Sequence, residues 1–498
     1  MDNFKIMKFL RLISGMIIIV FLAGCARIDT EFAEDTGRDP LTEPDYSGVT
    51  VPYNIAPLNF RIKEAEGNFV IEAIVVHGDK MTVKSSNGIV NFPQKAWRQL
   101  LEDNKGGEIE IRIFSGDSKK SFKYNPFKIF ISNEPADPYI AYRLLYPGYE
   151  TYMELKIVQR NIESFRESSV IENQLVDKNC INCHSFNKNN PAKFMVHIRG
   201  SVGGTYFVNG EKITKTNLKT KEMDNGAVYP SWHPDGKFLT FSSNEIIQSF
   251  HSVPDKIIEV HDLASSLLLY DVEKNEIMPV HDYDTARYMD TFSEWSPDGK
   301  YLYFCRARQV DRDADFRNIK YNLARKSFNE AARTFGSAEI MFDAEAIGKS
   351  VSFPRISPDG HYLVFTLHEY GTFSIWHKEA DLHLMDLQTG KTVKMNINSD
   401  ESESYHSWSS NGKWLVFSSK RGDGLTARPY FAYFGSADSI GKPFVLPQKD
   451  PDLYKRMVHT FNKPEFVTGK IIPGPRKFGR AAKTKAVDAT WADFPQEK

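Results

Sequence analysis

The chain has 498 residues, enough for two or three domains. Its 63 Lys and Arg against 64 Asp and Glu leave a net charge of −1, which gives bulk charge no part in holding nucleic acid. Aromatic residues reach 13%, with 35 Phe and 22 Tyr, which suits β-sheet packing, and the 4 cysteines are too few for a disulfide framework.

The first residues read as an export signal. Lys5, Lys8 and Arg11 form a positive start, and Leu12 to Leu22 is an apolar run too short to span a bilayer. It ends in Leu22-Ala23-Gly24-Cys25. That tetrapeptide resembles the lipobox of bacterial lipoproteins, which implies a signal peptide over 1–24, lipidation of Cys25 and a tether over 25–48. Ala26, rather than Asp, follows the cysteine. By the same resemblance this implies an envelope protein lipid-anchored in the outer membrane and facing the periplasm, with the cell surface as the alternative.

Residues 49–135 hold short alternating runs, such as Glu108-Ile109-Glu110-Ile111-Arg112-Ile113, separated by Gly, Asn and Asp. Period-two alternation predicts half-buried antiparallel strands, and a β-sandwich of Ig-like type is the expected fold, with a short helix near Gln94. Over 136–193 the pattern changes. Met153, Ile157, Ile162, Phe165 and Val170 are spaced nearer to helical periodicity, predicting a short helical linker.

That linker contains Cys180-Ile181-Asn182-Cys183-His184, a CxxCH, the sequence at which haem c is attached. Each thiol can form a thioether to a haem vinyl group, and the histidine can take the proximal position on the iron. A zinc site needs further soft ligands, and the remaining cysteine, Cys305, lies in an apolar run as a core residue would. A redox dithiol needs an α/β context, which is missing. One covalent haem c is therefore the expected cofactor. Arg143 and Arg160 are candidates for the propionates, with closure of a domain interface as the equal alternative. Met195 and His197 are the candidate distal ligands, His406 and His459 being weaker ones.

Beyond the linker the chain repeats itself. Trp232-His233-Pro234-Asp235-Gly236 recurs as Trp295-Ser296-Pro297-Asp298-Gly299, as Ile356-Ser357-Pro358-Asp359-Gly360 and as Trp408-Ser409-Ser410-Asn411-Gly412. Pro presets the first turn angle, Asp closes the turn and Gly supplies positive φ. Each turn leads into a strand of the kind Lys-Phe-Leu-Thr-Phe. These copies resemble the motif of TolB-like, WD-repeat-like β-propellers, which implies a propeller of five or six blades over 194–468. A sixth blade is expected from both chain ends, because Met457-Val458-His459 echoes Met195-Val196-His197. His233 is expected to be a turn residue, and 469–498 a flexible basic tail.

The expected fold is thus mainly β: an N-terminal sandwich, a helical haem-c linker and a C-terminal propeller. The expected function is a membrane-anchored mono-haem cytochrome that passes electrons to a redox partner protein or envelope complex, the propeller being its docking platform. Two alternatives stand beside it. One is a TolB-like envelope binding or scaffold lipoprotein with a structural or sensory haem. The other is a haem-dependent oxidoreductase, against which there is no Ser-His-Asp signature and no second haem motif.

Overall fold

The repeated turn can be followed atom by atom. The Gly236, Gly299, Gly360 and Gly412 amides donate to the carbonyls three residues back at 2.8–2.9 Å. All four glycines have φ between 68° and 76°, a region that other residues enter only with strain. Asp235, Asp298, Asp359 and Asn411 each accept from the amide two residues on, which fixes where the next strand begins. His233 replaces the serine of the other copies: Nδ1 meets Asp235 at 2.7 Å and Nε2 meets the Gly299 carbonyl at 3.1 Å. It is a turn residue, tied to the next turn.

The computed structural model describes residues 28–492 apart from 65–66, 118, 149–153, 254–255 and 281–286. Among the described residues, these turns organise consecutive antiparallel sheets. The first runs outward from Cys180–Phe186 through Lys193–Arg199 and Gly204–Asn209 to Lys212–Asn217. The second starts at Ala227–Trp232, the third at Tyr288–Trp295, the fourth at Ser350–Ile356 and the fifth at Glu403–Trp408. A closing sheet joins the two ends of the chain. Its innermost strand is Thr460–Val467, and Tyr139–Leu145, Lys156–Asn161 and Glu167–Glu172 lie outside it. Successive innermost strands pack on one another, and Thr460–Val467 touches both Glu403–Trp408 and Cys180–Phe186, so the ring closes. Indole N–H groups staple neighbouring sheets: Trp232 donates to the Ser185 carbonyl at 3.0 Å and Trp408 to the Arg355 carbonyl at 3.2 Å.

Three expectations are corrected here. The helical linker is strand. Ile157, Val158 and Ile171 are β-branched and find cross-strand partners, which overrides the helical spacing of a few apolar residues. The propeller-like ring accordingly begins near Tyr139 rather than at 194, and Cys180 to Phe186 is an innermost strand rather than part of a linker. The C-terminal stretch is not loose as far as residue 492. Helix Pro475–Ala482 buries Phe478 beside Phe194 and Tyr206, and Val487–Asp488 and Thr490–Trp491 extend the first and second sheets.

The N-terminal unit has a larger sheet around Asn68–Ile74, Glu108–Gly116 and Phe127–Ser132, and a smaller one of Thr42–Glu43, Phe60–Ile62 and Ile89–Val90. Helix Gln94–Asp103 buries Trp97, Leu100 and Leu101. Ig-like sheets are antiparallel. Here Thr50–Pro52 pairs parallel with Phe127–Ser132, and Glu34–Asp35 with Ser121–Lys123. From residue 28 the expected tether already belongs to this unit, since Ile28 packs against Val70 and Phe114. One apolar core runs from this unit through Trp414, Phe431 and Phe444 of the fifth sheet to Phe461 and Phe466 of the closing sheet.

Candidate functional site

Each innermost strand carries the same irregularity. Pairing with its neighbour slips between Val228 and Ser231, Thr291 and Glu294, Ser352 and Arg355, and Ser404 and Ser407. At the slips Tyr229, Phe292, Phe353 and Tyr405 have φ of 47–53°. Such a conformation costs a non-glycine residue about 1–3 kcal/mol and collects at ligand clamps. In return, four rings stand in one arc: Tyr229 to Phe292 at 4.4 Å, Phe292 to Phe353 at 4.2 Å, Phe353 to Tyr405 at 4.8 Å. Lys463, at φ 48°, continues the arc on the closing sheet. In the first sheet the slip falls between Ile181 and His184, inside the CxxCH.

The collar lines a cavity of about 180 Å³. Cys180, Asn182 and His184 line it from the first sheet, the four rings from the second to the fifth, and Arg143, Arg199 and Lys463 near the first. His184 is buried, and neither ring nitrogen has a hydrogen-bond partner. Burial pulls its pKa down to about 4, and the Glu465 carboxylate, 3.9 Å from Nε2, offsets this only in part. Lys463 Nζ donates to the His184 carbonyl at 2.6 Å and pairs with Glu465 at 3.0 Å. Burial pushes the Glu465 carboxyl up, yet Lys463 foremost holds it below its ordinary value.

The channel narrows where Arg355 Nη1 donates to Glu294 Oε2 at 3.2 Å. Beyond this waist a second cavity opens among the turns, lined by Trp232, Trp295 and Trp408. At the other end the hairpin Phe238–Val253 and Lys256–Asp271 leans over the collar, placing Ile246, Gln248 and Val260 on the cavity wall. Its tip is held to the fourth sheet's loop. Lys256 Nζ donates to Tyr370 Oη at 2.7 Å, and Tyr370 Oη donates to Glu259 Oε2 at 3.0 Å.

The structure brings together some of the residues singled out in the sequence and separates others. Cys180, His184 and Arg143 share the collar cavity. The backbone of Cys183 belongs to the innermost strand, while its side chain, like all of Cys25, lies outside the described residues. Arg160 does not line this cavity: it donates to the Pro447 carbonyl at 2.9 Å, Gln448 Oε1 at 3.1 Å and the Ser164 carbonyl at 3.2 Å, and so fastens the closing sheet. Met195 is buried among Trp232, Leu239 and Phe241, between the first two sheets. His197 meets Thr205 Oγ1 at 3.2 Å and lines a side recess. Both stand one strand out from the channel. His406 Nε2 donates to the Val364 carbonyl at 2.8 Å, and His459 packs on Tyr146 at 4.5 Å. Cys305 is a core residue, its thiol pushed well up by burial.

The electron-carrying cytochrome is therefore corrected. Such a site needs a second axial donor facing His184. Neither Met195 nor His197 lines the cavity that His184 lines, and across the ring the fourth sheet presents Phe353. Among the described residues no group of three or more His, Cys, Asp or Glu is arranged to hold a metal ion.

The collar is the part that sequence reasoning missed. Its signal is a fixed offset. Tyr229, Phe292, Phe353 and Tyr405 each stand three residues before Trp232, Trp295, Ile356 and Trp408. Cys183 stands three before Phe186, and Lys463 three before Phe466. The CxxCH is one more copy of the innermost-strand repeat.

No family model and no curated protein matches the chain. Among solved structures it is similar to TolB from Acinetobacter baumannii, at 14% identity and TM-score 0.42, over 80% of this chain and 82% of that one. It is similar to hydrazine synthase of Kuenenia stuttgartiensis at 16% identity and TM-score 0.31, over 52% of this chain and 64% of that one. A prolyl endopeptidase follows at 9% and 0.35, over 69% and 40%. Likeness at this level carries no functional inference.

Proposed function

We propose that the chain is a TolB-like propeller of six blades that serves as a binding or scaffold module of the cell envelope, with one covalent haem as a structural or sensory group in its channel. The observation that carries the reading is His184. A buried imidazole with two unpartnered nitrogens, facing the same cavity as the Cys180 thiol, is costly unless something completes it. The donor set suits the group: thiols at Cys180 and Cys183, an imidazole at His184, aromatic walls and guanidinium groups at Arg143 and Arg199. Attachment adds each thiol across a vinyl group, sulfur to one carbon and hydrogen to the other, with no oxidant consumed. Bound there, the group would supply a coordination bond to His184 and a large apolar body tying the first sheet to the rest of the ring. The apolar run ending at Cys25 supports a lipid anchor in the outer membrane, facing the periplasm. The partner in this reading is an envelope protein.

The test is production of the full-length protein with and without a haem-attachment apparatus. A chromophore that survives denaturation, with a thermal midpoint above that of the chromophore-free protein, is the expected result. Protein that carries no chromophore under both conditions overturns the reading.

A further inference from the structure

The collar spends backbone strain on four successive strands, and the fold alone does not require it. The innermost strand of a sheet can bulge with a glycine at the positive-φ position, at no steric cost. Here every such position in the second to fifth sheets is a large aromatic residue with its side chain in the channel. The four rings form a continuous arc over four of the sheets. The arc ends on the amine of Lys463, and the next position is Cys183 of the CxxCH. Basic groups stand where the arc stops: Arg143, Arg199 and Lys463 line the same cavity, and Arg355 closes its floor against Glu294. Aromatic faces attract flat π systems, and guanidinium groups match carboxylates two bonds at a time.

We infer that Tyr229, Phe292, Phe353 and Tyr405 are the specificity-determining wall of the cavity, shaped for a planar aromatic macrocycle bearing carboxylates that the arginines receive. The inference rests on the reading of this cavity as a binding site and names what the wall selects. The chemistry has two sources, a tetrapyrrole attached at Cys180 and Cys183 or one held without a bond.

The experiment uses the full-length protein with both thiols removed (Cys180→Ala and Cys183→Ala), titrated with protoporphyrin IX and with its dimethyl ester, read by porphyrin fluorescence. Phe353→Leu and Tyr405→Leu keep an apolar side chain and lose the flat face. Each is expected to weaken protoporphyrin binding by about tenfold, as stacking losses do, with the ligand-free circular dichroism retained. Arg199→Met is expected to weaken the diacid and leave the diester unchanged. Parent-like affinity in both leucine variants, or equal affinity for acid and ester throughout, overturns the inference. The sources are separated on wild-type protein made with the attachment apparatus: a chromophore that resists acidified acetone is the covalent one, and one that is extracted is held without a bond. If that protein carries no chromophore, the proposed function fails and the titration still decides the wall. If it carries one and the leucine variants bind like the parent, the wall fails and the proposed function stands.

Discussion

Arg143, on the inner of the three strands that the early chain gives to the closing sheet, donates from Nη1 to Asn182 Oδ1 and to the Ile181 carbonyl, both at 3.2 Å. The residue reaches across the closure of the ring and holds the irregular part of the CxxCH strand. Its guanidinium is buried at the cavity edge, so the bonds are made away from bulk water.

Arg143→Met should therefore loosen the first sheet against the closing sheet. Charged, buried hydrogen bonds of this kind are worth about 1.5–3 kcal/mol. Urea unfolding of chromophore-free protein should show a loss of that size, and an unchanged midpoint would mean that Arg143 only borders the cavity.

The fourth turn departs from Pro-Asp to Ser410-Asn411 for a visible reason. Asp137 accepts from the Ser410 amide at 2.7 Å and from its hydroxyl at 2.6 Å, and Asn411 Nδ2 donates to the Pro135 carbonyl at 2.7 Å. Proline has no amide hydrogen to give. Restoring the repeat with Ser410→Pro should cost about 2–3 kcal/mol, because the buried Asp137 loses both partners. Chemical denaturation measures the loss, and neutral or improved stability would refute the clamp.

The loop that receives the hairpin tip is acid-sensitive. Burial pushes the Glu379 carboxyl up, but the hydrogen bond and charge of His377, 2.9 Å away, overcome it and bring the pKa to about 2. The folded value lies below the ordinary 4.5, so the unfolded chain binds more protons between the two. The contribution is complete above pH 4.5 and is lost as pH falls toward 2. Glu379→Gln should flatten the acid limb of a stability-versus-pH profile in that window. Parallel acid limbs in the two proteins would show that the pair contributes nothing.

Phe478 tests the C-terminal stretch. Its side chain is fully buried against the first sheet, 6.4 Å from Phe194 and 6.5 Å from Tyr206 between ring centres. Phe478→Ala should cost about 3–5 kcal/mol in urea unfolding, the usual loss for a buried phenylalanine. A loss within error would return the segment to a loose tail.

Local chemistry explains what could be read from residues alone. Turn copies such as Trp295-Ser296-Pro297-Asp298-Gly299 carry their geometry within five residues, so the repeated sheets and the role of His233 were legible, and so was Cys305 as a core residue. Strand pairing is not local. Ile157 and Val158 become strand because Tyr139–Leu145 and Glu167–Glu172 flank them, and Thr460–Val467 closes the ring because it finds Tyr139–Leu145 more than three hundred residues away. Side-chain direction is equally non-local. Met195 and His197 looked like ligands from their distance to the CxxCH along the chain, yet their strand lies one place out, and Arg160 is taken up by Pro447 and Gln448. The sequence by itself determined the turns, the β class and the thiol-imidazole motif. Only the tertiary structure decided that this motif is an innermost strand facing an aromatic collar, because that depends on which strands meet around the ring.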